Sequence, residues 1–435
     1  MNRSWKTVLI VFAALIISFN ACVAASEEQN GDKFHRNYTL DIFGNANMDE
    51  DINERDIAYL EGVISGTNAA TNLSDANYDG KIDAQDIDQI KEIINGTEKE
   101  LSLIDTAGRT VTIHEPVNRI IEIGFTSSEI LRSLKVEKDK IVGVGNYTLQ
   151  KKTFFPEFSD SPNVGDSSSP NYELIVKLQP DLLLLYAAGH SEEMAAIEKT
   201  LNAADPDIST IGFGFNQPSI FVKEVKTLSY ILGKKDEADE FIEFYNKWIE
   251  TILERTSGLP ENEKPRIYLE TPYGTYGDHA AYGTCTKGHW MDERIEMAGG
   301  YNIFSDLTSA KTVNVDPEEV MKRNPEIIVK DTYRGGYSDD NISSLIDVRN
   351  EVLNRSELAN VDAMKNGRIY VIAHKDFLYG PSNFIAIAYL AKWFHPDLFK
   401  DLGDPQEFHQ EYLTRFQGLD FDLNKHGVFV YPKPD

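Results

Sequence analysis

The chain has 435 residues, of which 41% are hydrophobic and 26% are charged, a composition typical of a globular protein with two or three domains. Its formal net charge of −27 argues against nucleic acid or an anionic membrane surface as a partner. The charge is uneven, because residues 39–98 carry 14 Asp and Glu against 3 Lys and Arg.

Residues 1–25 have the organisation of a signal peptide. Arg3 and Lys6 precede an apolar run, Val8 to Phe19, that is too short to span a membrane comfortably. Two processing sites compete, one placing a lipidated Cys22 at the new N-terminus and one after Ala25. Both predict a mature protein that works outside the cytoplasm. The chain has 2 cysteines in all, so no disulfide framework is expected.

After a polar linker over 26–38, residues 39–98 contain a repeat with a period of 30. Each copy places oxygen-bearing groups at the ligand positions of a Ca²⁺ loop and continues into a short apolar helix. The predicted ligands are Asn45, Asn47, Asp49, Asn53 and Asp56 in the first copy, and Asp75, Asn77, Asp79, Lys81, Asp83 and Asp86 in the second. Gly80 permits the sharp turn of the second loop, whereas Glu50 replaces that glycine in the first.

The final aspartate of each loop opens the following helix, and each loop has only one helix. In both respects the segment resembles a dockerin module, and this resemblance implies Ca²⁺ as its cofactor and a cohesin as a partner. An acidic, solvated linker is the alternative interpretation.

From Leu101 onward, strands and helices alternate in the manner of a parallel sheet covered on both faces. Residues 101–217 form a predicted N-terminal lobe and residues 259–435 a C-terminal lobe. Between them, apolar side chains in residues 218–258 follow helical spacing and predict one long spine helix. The alternative is a break in this helix at Gly233.

Two stretches 145 positions apart have the same pattern, a short helix cut by proline and followed by an apolar strand. Their alignment matches Glu173 with Glu318 and Pro180 with Pro325. This repeat predicts two similarly built lobes, each with a glutamate on the first turn of a surface helix.

Four motifs carry a family resemblance, and they are Asp105 to Val111, Pro180-Asp181, Gly299 to Asp306 and Asn366 to Tyr370. In this order they resemble the helical-spine class of ABC-transporter solute-binding proteins, which capture ferric siderophores, haem or cobalamin. The resemblance implies an α/β fold of two Rossmann-like lobes joined by a long spine helix, here preceded by the small all-α Ca²⁺-binding module. It further implies a monomeric binding protein that delivers a metal-organic, in some relatives iron-containing, ligand to the permease of an ABC importer.

Ligands of open α/β sheets bind beyond the carboxyl ends of the strands. Aromatic and polar residues follow several predicted strands, so we expect a cleft with aromatic walls. The predicted ligand-binding residues are Tyr147, Tyr186, His190, Phe213, Tyr273, Tyr276, Tyr333, Arg334 and His374. Tyr186 is the strongest of these, because the family's cobalamin binder has a ligand-facing aromatic residue at the matching position.

By the same resemblance, Glu173 and Glu318 pair with arginines of the permease. The loop from His279 to His289, which also contains Cys285, has metal-ligating residue types but matches no zinc spacing. No nucleophile-elbow, P-loop or zincin motif is present in the sequence, so an enzyme on the same scaffold is a weaker hypothesis. A cell-surface assembly protein built around the dockerin-like module is the other alternative.

Overall fold

The computed structural model describes residues 38–187, 191–272 and 282–434. The predicted signal peptide, Cys22, almost all of the linker, His190, Tyr273, Tyr276 and His279 lie outside the described residues. No helix in the described ranges is long and apolar enough to cross a membrane.

The two copies of the period-30 repeat have the same local structure. Helices α1 (Glu54–Ser65) and α2 (Ala84–Asn95) each begin with a capping box, in which the N-cap residue and the third helical residue exchange hydrogen bonds. Asn53 and Asp83 are the N-caps, and Asp56 and Asp86 are their partners. Each helix ends at a glycine with positive φ, which is the backbone conformation that glycine adopts at least cost.

This N-terminal module packs onto the rest of the protein. Leu40, Ile42 and Ile52 belong to the same hydrophobic core as Leu103 and Ile231. The hydroxyl of Tyr230 accepts a hydrogen bond of 3.0 Å from the backbone nitrogen of Ile52 and donates one to Asp51. The sequence predicted a separate unit over 39–98, and the structure adds that this unit is fixed to the helices that join the lobes.

The N-terminal lobe opens with an antiparallel hairpin of β1 (Glu100–Ile104) and β2 (Thr110–His114), and a second, smaller hairpin pairs β5 (Gly165–Asp166) with β6 (Ser169–Pro170). The sheet of this lobe has four parallel strands, which are β3 (Ile120–Glu122), β4 (Ile141–Val144), β7 (Leu182–Tyr186) and β8 (Ser209–Phe213). Their order across the sheet is β4-β3-β7-β8. The helices of this lobe are α3 (Phe125–Ser133), α4 (Asn146–Gln150), α5 (Tyr172–Leu178) and α6 (Ser191–Ala204).

The C-terminal lobe is built around three parallel strands, β9 (Arg266–Thr271), β13 (Ile327–Thr332) and β14 (Ile369–Ala373). Shorter strands extend this sheet at its edges, and they are β10 (Gly283–Cys285), β11 (Tyr301–Asn302), β12 (Thr312–Asn314) and β15 (Val430–Tyr431). The helices are α9 (Trp290–Met297), α10 (Pro317–Arg323), α11 (Ser343–Leu353), α12 (Asp362–Lys365), α13 (Asn383–Phe394) and α14 (Pro405–Arg415).

The predicted single spine helix over 218–258 is two helices, α7 (Pro218–Leu232) and α8 (Lys235–Thr256). Gly233 stands between them with φ 60°, so it ends the first helix. The aromatic rings of Phe221 and Tyr245 lie 4.5 Å apart, so α7 and α8 fold back against each other instead of forming one rod. The 22 residues of α8 alone span about 33 Å.

The two copies of the repeat, which lie 145 positions apart, form equivalent hydrogen bonds at the starts of their strands. In the first lobe, the carboxylate of Asp181 accepts from the backbone nitrogen of Arg119, whose side chain donates to the carbonyl oxygen of Gln179 at the end of α5. In the second lobe, Glu326 accepts from the backbone nitrogen of Arg266, whose side chain donates to the carbonyl oxygen of Asn324. Each arginine lies at the start of one strand. It therefore links that strand to the end of the helix that precedes the neighbouring strand.

Candidate ligand site between the lobes

The carboxyl ends of the parallel strands lead to a cluster of aromatic rings in which the two lobes meet. Tyr379, which follows β14, is at the centre. Its ring centroid lies 5.5 Å from that of Phe125 and 5.8 Å from that of Tyr186 in the N-terminal lobe. On its own side, it lies 5.4 Å from Trp290 and 5.8 Å from His374. These spacings are those of interacting aromatic pairs, so aromatic rings from both lobes pack together at this end of the strands.

Hydrogen bonds fix the position of Tyr186 within this cluster. Its hydroxyl accepts a bond of 2.5 Å from the hydroxyl of Tyr379 and one of 2.8 Å from the side-chain nitrogen of Asn216. Burial raises the pKa of Tyr186 well above its ordinary value, so the phenol is neutral at physiological pH.

Residues 374–380 supply the C-terminal lobe's side of most of these contacts, and we call them the bridging segment. The segment begins with one turn of π-helix over His374–Leu378, a rare element that is often found at functional sites. Asp376 pairs with Lys151 of the other lobe at 2.9 Å, and His374 contacts Asp331 at 2.5 Å. A side chain on Gly336 would collide with the carboxylate of Asp376, and the φ of 92° at Gly336 also favours glycine.

A fully buried arginine lies beneath the bridging segment. Arg294 of α9 donates one hydrogen bond to the carbonyl oxygen of Leu378 and another, of 2.6 Å, to that of Asn216. Its guanidinium carbon lies 4.4 Å from the centre of the Trp290 ring. Burial lowers the pKa of Arg294 to about 9, which still leaves the side chain charged at neutral pH.

Four buried polar atoms around this region have no hydrogen-bond partner in the described structure. They are Thr126 Oγ1, Asn216 Oδ1, Arg294 Nε and Asp331 Oδ1. Buried polar groups are rarely left unpaired, and each such group has an energetic cost. A polar ligand or water between the lobes would supply the missing partners.

The predicted ligand-binding residues fall into three groups. Tyr186 and His374 join the aromatic cluster, and Tyr333 lies against the ring of His374 at 5.1 Å while staying 38% exposed. Tyr147 is 48% exposed and lies in α4, directly after the adjacent strand β4.

The other predictions point elsewhere. Phe213 is buried and stacks on Phe215 at 5.0 Å, and Arg334 pairs with Glu351 at 3.1 Å near the surface. His190, Tyr273 and Tyr276 belong to the undescribed residues.

The sequence did not predict Arg294 or Asn216. A signal for Arg294 is visible in retrospect, because Met291, Arg294 and Ile295 share the apolar face of one helix at i, i+3, i+4 spacing. A charged residue on such a face is unusual and suggests a special role.

The loop from His279 to His289 was considered for metal binding, and its His289 and Cys285 lie among the described residues. His289 caps α9 by accepting from the backbone nitrogen of Met291 at 3.2 Å, and burial lowers its pKa to about 3. Cys285 is fully buried in β10, and burial raises the pKa of its thiol, which disfavours the thiolate form. Across 38–187, 191–272 and 282–434, no group of three or more His, Cys, Asp or Glu side chains is arranged to hold a metal ion.

Glu173 and Glu318 occupy equivalent and exposed positions. Each is the second residue of a helix of 7 residues, α5 and α10 respectively. Each helix ends at a residue in the left-handed conformation, Gln179 with φ 48° and Asn324 with φ 46°. The two lobes therefore present their glutamates from the same structural context.

Two cavities lie outside the aromatic cluster. One, of about 530 Å³, is an open depression near Gln410, Leu419 and Asn424, and the other, of about 210 Å³, lies near His409 and His426. The interlobe cluster is the candidate functional site, because buried unpaired polar atoms and contacts from both lobes converge there.

Comparison with known proteins agrees with this architecture. Residues 120–375 match the family described as "Periplasmic binding protein". Molybdate-binding protein MolA of Haemophilus influenzae is 24% identical over 347 residues, which are 72% of this chain and 90% of MolA. Vitamin B12-binding protein of Vibrio cholerae is 24% identical over 221 residues, covering 49% of this chain and 70% of that protein. The crystal structure of the TroA-like protein FepB from Veillonella parvula superposes with a TM-score of 0.62 at 24% identity and covers 77% of this chain and 99% of FepB.

Proposed function

Because the chain belongs to the periplasmic binding protein family, we propose that it captures a metal-containing ligand between its lobes and passes it to an ABC importer. It is an extracytoplasmic solute-binding protein and not an enzyme. For the ligand, we favour an iron chelate, haem, a cobalamin or a compact metal oxyanion. Relatives whose names state molybdate and vitamin B12 support this range.

The single observation that carries the proposal is the aromatic cluster with its unpaired polar atoms. Phe125, Tyr186, Trp290 and Tyr379 offer flat apolar surfaces, which suit a macrocyclic or aromatic chelate. Polar groups without partners lie around the same rings and would orient the ligand. The bridging segment closes this surface through Tyr379, so ligand entry requires that segment to move.

The experiment is a binding survey of the mature protein. Cyanocobalamin, haemin, a ferric tris-catecholate complex and molybdate are titrated separately, with tryptophan fluorescence and calorimetry as readouts. Native mass spectrometry and metal analysis of the protein as purified identify any retained ligand. We expect one of these ligand classes to bind, and Tyr186→Ala to weaken its binding by at least tenfold. The control is Tyr370→Ala, which also removes a tyrosine. The ring of Tyr370, in β14, stacks on Trp393.

For the N-terminal module we propose a dockerin-like Ca²⁺ site in the second loop only. In that loop, the Asp75 side chain accepts hydrogen bonds from the backbone nitrogens of Asp79 and Gly80, and Asp79 accepts from that of Lys81. None of the described ion pairs involves these aspartates, so their charge is available to a cation. Because Ca²⁺ also accepts amide, backbone carbonyl and water oxygens, a site in this loop does not require three carboxylates to converge on the ion.

In the first loop, the chain's own nitrogen donors take the place of a cation. The side-chain nitrogen of Asn45 donates to the carbonyl oxygens of Leu40 and Asp49 at 2.8 and 2.6 Å. Arg55 pairs with the carboxylate of Asp49 at 3.2 Å. Of the Ca²⁺ ligands predicted from the sequence, those of the first loop are therefore left out of this proposal.

Calorimetry of the full chain tests the calcium proposal. One Ca²⁺ per chain is expected, lost in Asp75→Ala and kept in Asp49→Ala. No heat in the wild-type protein, or loss in both variants, would contradict it. Cohesin binding stays a prediction, to be tested with Ca²⁺-loaded protein against immobilised cohesins, and Cys22 lipidation is tested by the mass of the mature N-terminus.

A further inference from the structure

Arg294 carries a charge that nothing in the described structure neutralises at contact distance. Its side chain has no exposed surface, and it forms no ion pair within 4.0 Å in residues 38–187, 191–272 and 282–434. Two of its nitrogens donate to backbone carbonyl oxygens, whereas Nε has no partner. A buried guanidinium normally has a carboxylate partner, because its desolvation is costly.

The two carboxylates whose charges act on Arg294, those of Glu293 and Asp331, have other hydrogen-bond partners. Glu293 accepts hydrogen bonds from the side chains of Gln217 and Ser219 and from the backbone nitrogen of Ser219, at 2.8 to 3.2 Å. Asp331 directs one oxygen to His374 at 2.5 Å. Neither forms an ion pair with Arg294, so the guanidinium keeps its capacity for a further anionic partner.

The position of Arg294 indicates where an anionic partner would bind. Its two carbonyl acceptors come from opposite sides of the cleft, Asn216 after β8 and Leu378 in the bridging segment. It also lies over the ring of Trp290, one of the aromatic walls. A ligand that displaces the bridging segment would take away one of these acceptors and meet the guanidinium directly.

We propose that Arg294 is the charge-recognition residue of the interlobe site, and that the ligand presents an anionic oxygen group to it. This inference rests on the proposed function and narrows its ligand class. Carboxylate, catecholate and oxyanion groups satisfy the guanidinium, whereas a neutral ligand would leave its charge unpaired in a dry site. The aromatic walls would contact the rest of the ligand.

The test compares anionic and neutral probes on four forms of the mature protein. The anionic probes are haemin, with its propionates, ferric tris-catecholate and molybdate. The neutral probe is dicyanocobinamide, a corrinoid that lacks the phosphodiester of cyanocobalamin. The forms are wild type, Arg294→Gln, Arg294→Lys and the control Arg255→Gln, which removes an arginine of α8 that pairs with Asp401. Circular dichroism and thermal melting establish that each form is folded.

We expect at least one anionic probe to bind the wild-type protein at least tenfold more tightly than dicyanocobinamide. Arg294→Gln should lose that preference by a factor of ten or more, and Arg294→Lys should lose part of it, because an ammonium group cannot replace the planar fork of a guanidinium. Arg255→Gln should stay within a few-fold of wild type. Binding of dicyanocobinamide alone would support the proposed function and overturn the role of Arg294. Unchanged anion binding in a folded Arg294→Gln would also overturn it, and failure of every probe would overturn both. If Arg294→Gln does not fold, Arg294→Lys decides the outcome. Weaker binding of the anionic probe with unchanged binding of dicyanocobinamide is expected only from a ligand contact, and unchanged binding of both probes would overturn the inference.

Discussion

The hydroxyl of Tyr379 in the C-terminal lobe donates a hydrogen bond of 2.5 Å to the hydroxyl of Tyr186 in the N-terminal lobe. This bond crosses the proposed ligand site, so closure of the lobes and occupation of the site involve the same two side chains. Tyr186 is the last residue of β7, the strand of the first repeat, and Tyr379 follows the π-helical turn after β14.

A double-mutant cycle measures this coupling. Tyr186→Phe and Tyr379→Phe each keep the ring and remove one hydroxyl. Because both single changes break the same hydrogen bond, we expect their effects on the free energy of unfolding to be non-additive by about 1 kcal/mol. Urea unfolding of the four proteins gives the value. Strict additivity would show that the hydroxyls are not coupled in solution.

Charge reversal at the repeated glutamates should separate transport from binding. In Glu173→Arg with Glu318→Arg, we expect ligand affinity to be unchanged and uptake by cells to fall at least tenfold, because the introduced arginines would repel the permease's arginines that the carboxylates are proposed to pair with. The control is Glu261→Arg with Glu263→Arg, which changes the net charge equally at a different surface. Normal uptake by the first double variant would contradict the docking role.

Glu129 should make the stability of the protein depend on pH. Its carboxylate accepts from the hydroxyl of Tyr412 in the other lobe at 2.6 Å, and burial raises its pKa to about 7. An unfolded glutamate releases its proton near pH ~4.3, so between these values the folded state holds the extra proton. The contribution of Glu129 to the free energy of unfolding therefore falls as pH rises through this window.

The matched variant is Glu129→Gln, which retains an acceptor for Tyr412 and cannot ionise. Relative to this variant, the wild-type protein should lose up to about 3 kcal/mol of stability between pH ~4.5 and ~7.5. Denaturant unfolding at several pH values measures the difference. Two outcomes would contradict the buried position of Glu129. One is a stability difference that does not change with pH, and the other is a wild-type protein that gains stability relative to Glu129→Gln as the pH rises.

Gly233 should be the residue that separates α7 from α8. Its φ of 60° disfavours any residue with a side chain, although a Cβ there would have nothing within 4 Å. Gly233→Ala should therefore destabilise the protein by about 1 kcal/mol through backbone strain alone. Gly258→Ala is the control, because Gly258 also has open space around it and no positive φ. Equal effects of the two changes on thermal unfolding would argue against the strain.

Several features were predictable from the sequence because they depend on short-range patterns. The capping boxes at Asn53 and Asp83 follow from residues three positions apart, and the αL ends of α5 and α10 lie next to the prolines that mark them. The pairing of Glu173 with Glu318 needed only the alignment of two stretches of the chain. Tyr186 and His374 were singled out because ligands of open α/β sheets bind at strand ends, and both residues lie in the interlobe aromatic cluster.

The remaining features depend on contacts between residues far apart in the chain, and the local spacing of residues does not reveal such contacts. The fold-back of α7 on α8 is decided by packing such as that of Phe221 on Tyr245, whereas the apolar spacing fits one helix or two. The attachment of the N-terminal module through Tyr230 joins residues 178 positions apart. Arg294 gains its role only where carbonyl oxygens from both lobes converge on it. The sequence by itself thus determined two repeated lobes, a repeated acidic module and the strand ends that carry the site. Only the tertiary structure decided which side chains meet there, because burial and the loss of hydrogen-bond partners are properties of the assembled core.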